Sequence, residues 1–298
     1  MRLGQILKKS IKRFLPESFL ESLIYVRRRL ISPVRIIEAY RGNAIIDVMV
    51  ICVGQRCNFR CRDCGNMAPY SPKNHGSYPI EEMKEDVNML FQHIRGIKSI
   101  QIQGGEPFLY EHLGELLDYL GGYSAFIDNI YIASNGSILP KEEILESMVR
   151  NHIGLRISDY GISHEKAKEV RRICEKQGIH VRYYEFAEGD AMWYRMGRPD
   201  DTYSPDENIS KRFFFCAYRT CLTLENGRLY HCSRAYNAHY VQNFAEKKKD
   251  YVDLRQTKEL RKKIAHYLTF TTYMEACRYC NGSHHAPREL AAAQMEKQ

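Results

Sequence analysis

Three cysteines of the chain, Cys57, Cys61 and Cys64, lie close enough in sequence to bind one metal centre. Their C-x3-C-x2-C spacing suits three irons of a [4Fe–4S] cube, whereas a cluster that only transfers electrons uses four cysteines. The fourth iron then keeps an open position, which can bind an exogenous ligand. A zinc site completed by a distant histidine is the alternative for the same residues. The spacing therefore predicts a metal centre.

A second group of cysteines lies in the C-terminal part of the chain. Clustered cysteines in a chain with no evident export signal favour metal or iron–sulfur ligation over disulfides. The Asn226–Gly227 pair is a strong hairpin signal, and this hairpin would bring Cys232 towards the Cys277–Cys280 pair. Four thiolates can ligate one further [4Fe–4S] cluster, and a four-cysteine zinc site is the alternative. The group comprises Cys216, Cys221, Cys232, Cys277 and Cys280.

The elements that must position these groups follow an alternating pattern from residue 47 onwards. Short apolar strands alternate with helices whose apolar residues form one stripe, such as the helix predicted to begin at Pro79 and that over His164–Gln177. This alternation predicts an α/β fold with parallel strands, and the active site then lies at the carboxyl ends of those strands. The predicted strands are Asp47–Val53, Ser99–Gln103, Asn129–Ala133, Gly154–Ile157 and Ile179–Tyr184.

Polar groups suited to ligand binding stand at the ends of these strands. Gly104 and Gly105 lack side chains where a ligand requires close approach of the backbone. The Glu106 carboxylate can pair with an ammonium group, or with the N-terminus of the helix that follows it. Ser134 and Ser158 provide hydroxyls for ribose or carboxylate oxygens.

Together these segments resemble the radical S-adenosylmethionine (SAM) superfamily over roughly residues 47–185. The cysteine triplet, with Phe59 two residues before its middle cysteine, is similar to the superfamily's signature. Segments 103–107, 134–136 and 157–159 resemble its GGEP motif, its TNG-like turn and its ribose-contacting serine. The resemblance implies a partial (β/α)6 barrel.

The resemblance also implies cofactors and a reaction. The cysteine triplet would hold a [4Fe–4S] cluster whose open iron is chelated by SAM, and Glu106 would pair with the SAM ammonium. Reductive cleavage of SAM would give a 5′-deoxyadenosyl radical that abstracts hydrogen from the substrate. A flavodoxin or ferredoxin would supply the electron. The implied SAM-binding residues are Phe59, Gly104, Gly105, Glu106, Ser134 and Ser158.

The second cysteine group resembles the twitch or SPASM-type module that follows many radical SAM domains. Full SPASM modules hold two clusters and have further cysteines after the last pair, whereas residues 281–285 contain none. The resemblance therefore implies one auxiliary [4Fe–4S] cluster. Its spacing favours Cys216 over Cys221 as the fourth ligand, and Cys221 would be a buried thiol or face the substrate. The predicted divisions are 1–44, a basic helical segment, 45–200, the core domain, and 201–298, the auxiliary module.

For the reaction, we expect oxidation or epimerisation of a small polar substrate, such as a sugar or an aminocyclitol. Modification of a peptide is the alternative, although residues 1–42 are too short and too helical for the leader-binding domain of many such enzymes. An iron–sulfur or zinc sensor is a second alternative, but a sensor needs no SAM-binding loop. The candidate substrate contacts are Asp159, Tyr160, Tyr184, Glu185 and Trp193.

The net charge of +8 is concentrated at the start of the chain, where residues 1–42 hold ten Lys or Arg against three Glu. The near-neutral remainder argues against a nucleic-acid surface around the chemistry. The basic amphipathic segment predicts either packing on its own domain or peripheral contact with a membrane. No uncharged stretch is long enough to span a bilayer, the longest being the twelve residues Asn129–Pro140. We therefore expect a cytoplasmic protein, with membrane contact at the surface as the alternative.

Overall fold

The structure is a computed structural model that describes residues 33–72, 75–185, 193–198, 209–256, 258–286, 288–289 and 294–295. The amphipathic helices predicted before residue 33 and the side chain of Trp193 lie outside the described residues. Residues 33–40 are helical. Within the described residues, none of the helices combines the length and apolar character needed to cross a bilayer.

The strands fall into one large sheet and two strand pairs. In chain order the strands are β1 (Ile45–Ile46), β2 (Val48–Cys52), β3 (Gly96–Ile97), β4 (Ile100–Gln103), β5 (Ile130–Ser134), β6 (Gly154–Asp159), β7 (Val181–Glu185), β8 (Trp193–Tyr194), β9 (Cys221–Glu225), β10 (Arg228–Tyr230), β11 (Val252–Asp253) and β12 (Arg288–Glu289). The large sheet has eight strands in the order β11-β10-β9-β2-β4-β5-β6-β7, and its six strands from β9 to β7 run parallel.

Helices connect the consecutive parallel strands from β2 to β7. The helix Leu113–Gly121 shows why they form here, since its leucines recur at helical spacing and are all fully buried against the sheet. The α/β fold with a mostly parallel sheet, predicted from the sequence, is therefore confirmed. The connecting helices are Ile80–Phe91, Leu113–Gly121, Glu142–Arg150 and His164–Lys176, and the C-terminal part adds Ile209–Phe215, Ala235–Val241, Leu260–Phe270 and Gly282–His285.

The two faces of the parallel sheet differ in polarity. Ile100, Ile132 and Leu155 are fully buried on the face that the connecting helices cover. Since successive side chains of a strand alternate between faces, the register places a polar set on the opposite side, which we call the inner face. The inner face includes Gln101, Gln103, Arg156, Ser158 and Tyr184.

The C-terminal part of the chain joins the core through β9. Its predicted hairpin forms between β9 and β10, and Asn226 and Gly227 have φ of 46° and 75°, as a two-residue turn of this kind requires. Strand β9 pairs in parallel with β2, so the large sheet crosses the predicted boundary at residue 200. The division into domains stays a prediction.

Candidate active site

The cysteine triplet lies in the loop after β2, at the carboxyl end of the sheet. Cys61 is buried and Cys57 and Cys64 are partly exposed. A turn closes the loop, with the Cys64 amide donating to the Cys61 carbonyl over 3.1 Å, and the Phe59 amide donates to Cys57 Sγ over 3.4 Å. Burial raises the pKa of Cys57 to about 11 and that of Cys61 to about 12. To act as ligands, these thiols must lose their protons, and binding to a positively charged metal centre favours that loss.

One compact group of candidate metal ligands contains no cysteine. In the part of the chain that the structure describes, Asp159, His164 and Glu185 place their ligating atoms within 4.8 Å of one another.

Gly104 and Gly105 allow the end of β4 to contact the cysteine loop. The Gly105 amide donates to the Gly54 carbonyl over 2.9 Å, and the Glu106 amide donates to the Arg56 carbonyl over 2.8 Å. A Cβ at position 104 or 105 would overlap these same carbonyl oxygens. The sequence predicted that these glycines allow close approach of the backbone to a ligand. In the structure they allow close approach to the backbone of the cysteine loop instead.

Glu106 is 2% exposed and already holds three hydrogen bonds. Its Oε1 accepts from the Ser134 hydroxyl over 2.9 Å and from the Phe108 amide over 3.2 Å, and its Oε2 accepts from the Asn135 amide over 2.8 Å. Burial raises the pKa of Glu106 to about 7, and these donors act against the rise. The carboxylate therefore caps the short helix Pro107–Leu109 and keeps acceptor capacity on Oε2 for a cationic ligand.

The turn after β5 is tied to the cysteine loop by side-chain amides that the sequence analysis missed. Asn135 Nδ2 donates to Asn58 Oδ1 over 3.0 Å, and Asn58 Nδ2 donates to the Ser137 hydroxyl over 2.8 Å. The Gly136 amide donates to the Ser134 hydroxyl over 3.0 Å. These contacts fix the cysteine loop, the Glu106 segment and the β5 turn in one rigid unit.

The candidate substrate residues divide between the two faces of the sheet. Tyr184 lies on the inner face, where it pairs with the predicted SAM-binding residue Ser158, whereas Asp159 and Glu185 lie on the helix-covered face. Asp159 accepts from the Tyr183 hydroxyl over 2.6 Å, and its Oδ2 lies 2.5 Å from His164 Nδ1 at the start of the helix His164–Lys176. These bonds position that helix, and they leave the Asp159 carboxylate turned away from the inner face.

Two further residues near the inner face are relevant to substrate binding. The half-buried Arg156, which the sequence analysis missed, donates to Gln101 Oε1 over 3.1 Å and places its guanidinium 5.4 Å from the centre of the Tyr184 ring. Tyr160 lies close to Cys61 and Cys64, and its pKa is raised by burial and then by the charges of these thiols. The region beside the cysteine triplet thus combines a cation with phenol rings.

The second cysteine group surrounds one cavity. Cys216, Cys232, Cys277 and Cys280 all line it, together with three arginines, Arg212, Arg219 and Arg234. Cys221 does not line this cavity but begins β9, where it pairs with Val48 of β2 on the inner face.

The walls of this cavity are held by hydrogen bonds to the cysteine segments. Arg212 Nη1 donates to the Cys277 carbonyl over 3.2 Å and to the Cys280 carbonyl over 2.5 Å. The Ser283 hydroxyl donates to Cys216 Sγ over 3.6 Å. These contacts bring two chain segments, 212–216 and 277–283, to one site.

Residues 196–198 connect the two cysteine groups. Arg198 forms a two-point ion pair with Asp63, the residue before Cys64. On the other side, the Met196 carbonyl accepts from the Asn281 amide over 2.8 Å, next to Cys280. The sequence contained no local signal for this connection, because Arg198 and Asp63 are 135 residues apart in the chain.

A segment near the C-terminus contacts the cysteine triplet directly. Gln294 Nε2 donates to Cys61 Sγ over 2.8 Å, and its Oε1 accepts from the Arg60 amide over 2.9 Å. The Met295 amide donates to the Arg60 carbonyl over 2.8 Å. Residues 294–295, which the sequence analysis did not assign to the site, therefore contact the loop of the triplet.

Comparison with known proteins identifies the domain that carries the cysteine triplet and Glu106. Residues 51–188 match the profile of the Radical SAM superfamily. GTP 3′,8-cyclase of Campylobacter fetus subsp. fetus (strain 82-40) is 30% identical over 108 residues, which make up 36% of this chain and 32% of that protein. The antilisterial bacteriocin subtilosin biosynthesis protein AlbA of Bacillus subtilis (strain 168) is 32% identical over 89 residues, 30% of this chain and 18% of that protein.

The matched regions are partial. The chain spans about a third to a half of the length of the cyclases that it matches. Among solved structures, BtrN in complex with AdoMet and 2-DOIA aligns with a TM-score of 0.49 and 15% identity, over 85% of this chain and 100% of that chain. Residues 51–188, a little under half of the chain, are thus a radical SAM domain, the kind of domain that uses SAM and a [4Fe–4S] cluster.

Proposed function

We propose that Cys57, Cys61 and Cys64 hold the catalytic cluster and that the enzyme abstracts hydrogen from a small polar substrate. When bound, the cluster and SAM supply a 5′-deoxyadenosyl radical. The observation that carries the proposal is the convergence of the triplet with the Glu106–Ser134 unit at the carboxyl end of the sheet. A flavodoxin or ferredoxin is the proposed electron donor.

The SAM-binding roles of individual residues follow from their remaining hydrogen-bonding capacity. Glu106 Oε2 accepts one bond from the protein, so it has room for the SAM ammonium. Ser158 and Phe59 lie at the same end of the sheet and are proposed to contact SAM. Gly104 and Gly105 contribute by letting the Glu106 segment approach the cysteine loop.

The inner face supports a small polar substrate. Arg156, Gln101 and Tyr184 form a polar, cationic surface suited to hydroxyl, phosphate or carboxylate groups. The similarity to GTP 3′,8-cyclases supports a small-molecule substrate. A sugar or an aminocyclitol would be a substrate of this class. A peptide substrate is the second candidate, favoured by the similarity to AlbA.

The second cysteine group is proposed to bind one auxiliary [4Fe–4S] cluster in a twitch-like module. Four cysteines line its cavity, which matches the requirement of a fully ligated cluster. Cys216 belongs to this set and Cys221 does not. The auxiliary cluster would accept an electron when the substrate is oxidised, and it would be unused in an epimerisation.

The test is iron and sulfide content after anaerobic reconstitution, combined with 5′-deoxyadenosine formation. We expect about eight irons per chain in the wild type and about four after substitution of Cys57, Cys61 and Cys64 by Ala, with loss of 5′-deoxyadenosine. About four irons falling to none would refute the auxiliary cluster. Unchanged SAM cleavage in the triple variant would refute the catalytic assignment.

Substrate class is tested by incubating the enzyme and SAM with deuterated candidate substrates. Deuterium in 5′-deoxyadenosine from a sugar or aminocyclitol would support the small-molecule proposal. Deuterium from a peptide alone would favour the second candidate.

A further inference from the structure

We propose that Arg234 is a shared electrostatic element of the two iron–sulfur sites, and that its charge raises the reduction potential of both clusters. This inference rests on the auxiliary cluster proposed above. Arg234 precedes the helix Ala235–Val241 and belongs to neither cysteine motif.

The first observation is that Arg234 is a buried charge. It is 4% exposed, and its Nη2 donates to the Gly197 carbonyl over 3.0 Å. Over the described ranges, no carboxylate forms an ion pair with its guanidinium. A buried cation without an anionic partner is strongly unfavourable. An anion beside Arg234 is therefore required, and the nearby candidates are cysteine thiolates.

The second observation is that the segment carrying Arg234 contacts both cysteine groups. Arg234 lines the cavity of the second group together with Cys232 and Cys280. Three residues later, Asn237 Nδ2 donates to the Asn66 carbonyl over 3.0 Å. Asn66 is two residues after Cys64 of the triplet, so this short segment lies against both sites.

The third observation is that backbone fixes this position. Gly197, whose carbonyl binds Arg234, has φ of 133°, and a Cβ there would lie 2.7 Å from the Tyr279 carbonyl. The next residue, Arg198, forms the ion pair with Asp63. The carbonyl that holds Arg234 thus belongs to a segment that packs closely against Tyr279 on one side and, through Arg198, is tied to the triplet loop on the other.

The expected effect follows from the charge of the clusters. Reduction adds negative charge, so a nearby cation in a site of low dielectric constant favours the reduced form. Arg212 is the matched control, because it contacts the carbonyls of the auxiliary pair, Cys277 and Cys280. Its loss should affect the auxiliary cluster alone.

The experiment is an EPR-monitored redox titration of the reconstituted full chain, with each cluster assigned in the variant that lacks the other's cysteines. Arg234→Gln should make both midpoint potentials more negative. Arg234→Lys should keep both near wild type, because it retains the charge. Arg212→Gln should shift only the auxiliary potential.

Two results would overturn the inference. One is an Arg234→Gln variant with both clusters loaded and at most one potential shifted. Another is an Arg234→Lys variant that loads normally and has both potentials lowered. If Arg234→Gln fails to load iron, the two midpoint potentials of the Arg234→Lys variant decide whether the inference holds. A wild type with about four irons would instead refute the auxiliary cluster itself, and with it the shared role.

Discussion

Asp63 and Arg198 form a buried two-point ion pair, with Nε 2.5 Å from Oδ1 and Nη2 2.7 Å from Oδ2. Their side chains are 1% and 13% exposed. Asp63 lies between Cys61 and Cys64, so the pair anchors the loop of the cysteine triplet to the segment that leads to the second cysteine group.

Replacing Asp63 by Asn should therefore destabilise the protein strongly. The change removes the carboxylate that Arg198 contacts at two points, and breaking a buried pair costs about 3–5 kcal/mol. Thermal unfolding of the reconstituted protein measures the effect, together with the rate of iron loss to a chelator. The control is Glu169→Gln, which breaks the exposed pair with Lys166 and should cost about 0–1 kcal/mol. Equal effects of the two changes would contradict the anchoring role.

Replacing Gly105 by Ala should displace the cysteine loop. The added Cβ would overlap the carbonyl oxygens of Arg56 and Gln55, and this backbone cannot rotate away as a side chain could. We expect a loss of about 1–3 kcal/mol or more, with reduced iron loading. Gly114→Ala is the matched control, because nothing lies within 4 Å of its Cβ and it is inside a helix. That control should gain about 1 kcal/mol in unfolding free energy.

Replacing Glu106 by Gln should weaken SAM binding about tenfold or more, because hydrogen bonds to a charged group contribute about 1.5–3 kcal/mol. Equilibrium binding of SAM to the loaded enzyme measures this. Glu225→Gln is a suitable control, since Glu225 is equally buried and its pKa is likewise raised to about 7, but it binds Gln55 and Tyr78 instead. A larger loss of SAM affinity in the control would refute the role of Glu106.

The same Glu225→Gln change should alter the pH dependence of stability. Burial raises the pKa of Glu225 from 4.5 to about 7. Between these values the unfolded chain loses the proton and the folded protein keeps it, so the unfolding free energy falls as pH rises, by up to about 3 kcal/mol for this group. Glu225→Gln should flatten that slope and be more stable than wild type above pH 7.

Denaturant unfolding at pH 4.5 and pH 7.5 checks this prediction. Part of the wild-type slope should persist in the variant, because burial raises the pKa of Glu106 to about 7 as well. An unchanged slope would show that Glu225 does not titrate in this range.

Replacing Cys216 by Ala should remove the auxiliary cluster, whereas Cys221→Ala should not. Cys216 lines the four-cysteine cavity and Cys221 starts β9 on the inner face. Iron analysis should give about four irons per chain for Cys216→Ala and about eight for Cys221→Ala. The opposite pattern would assign the fourth ligand to Cys221.

Much of the fold could be predicted because its signals are local. The alternation of apolar strands and amphipathic helices determined the parallel order from β2 to β7, and predicted boundaries differ from the observed ones by a few residues, as with Asp47–Val53 against Val48–Cys52. The parallel pairing of β9 with β2 was not predicted, since 168 residues separate the ends of these strands and no periodicity reports such a pairing.

By itself, the sequence determined the groups whose chemistry depends on short spacings: the cysteine triplet, the Gly104–Gly105–Glu106 segment and the hairpin turn at Asn226–Gly227. Only the tertiary structure decided which distant side chains meet. It turned Asp159 towards His164, paired Asp63 with Arg198, and placed Arg234 in the cavity of the second cysteine group. The reason is physical, because backbone turns and strand periodicity are set by neighbouring residues, whereas a buried charge acquires its partner only when the chain has packed.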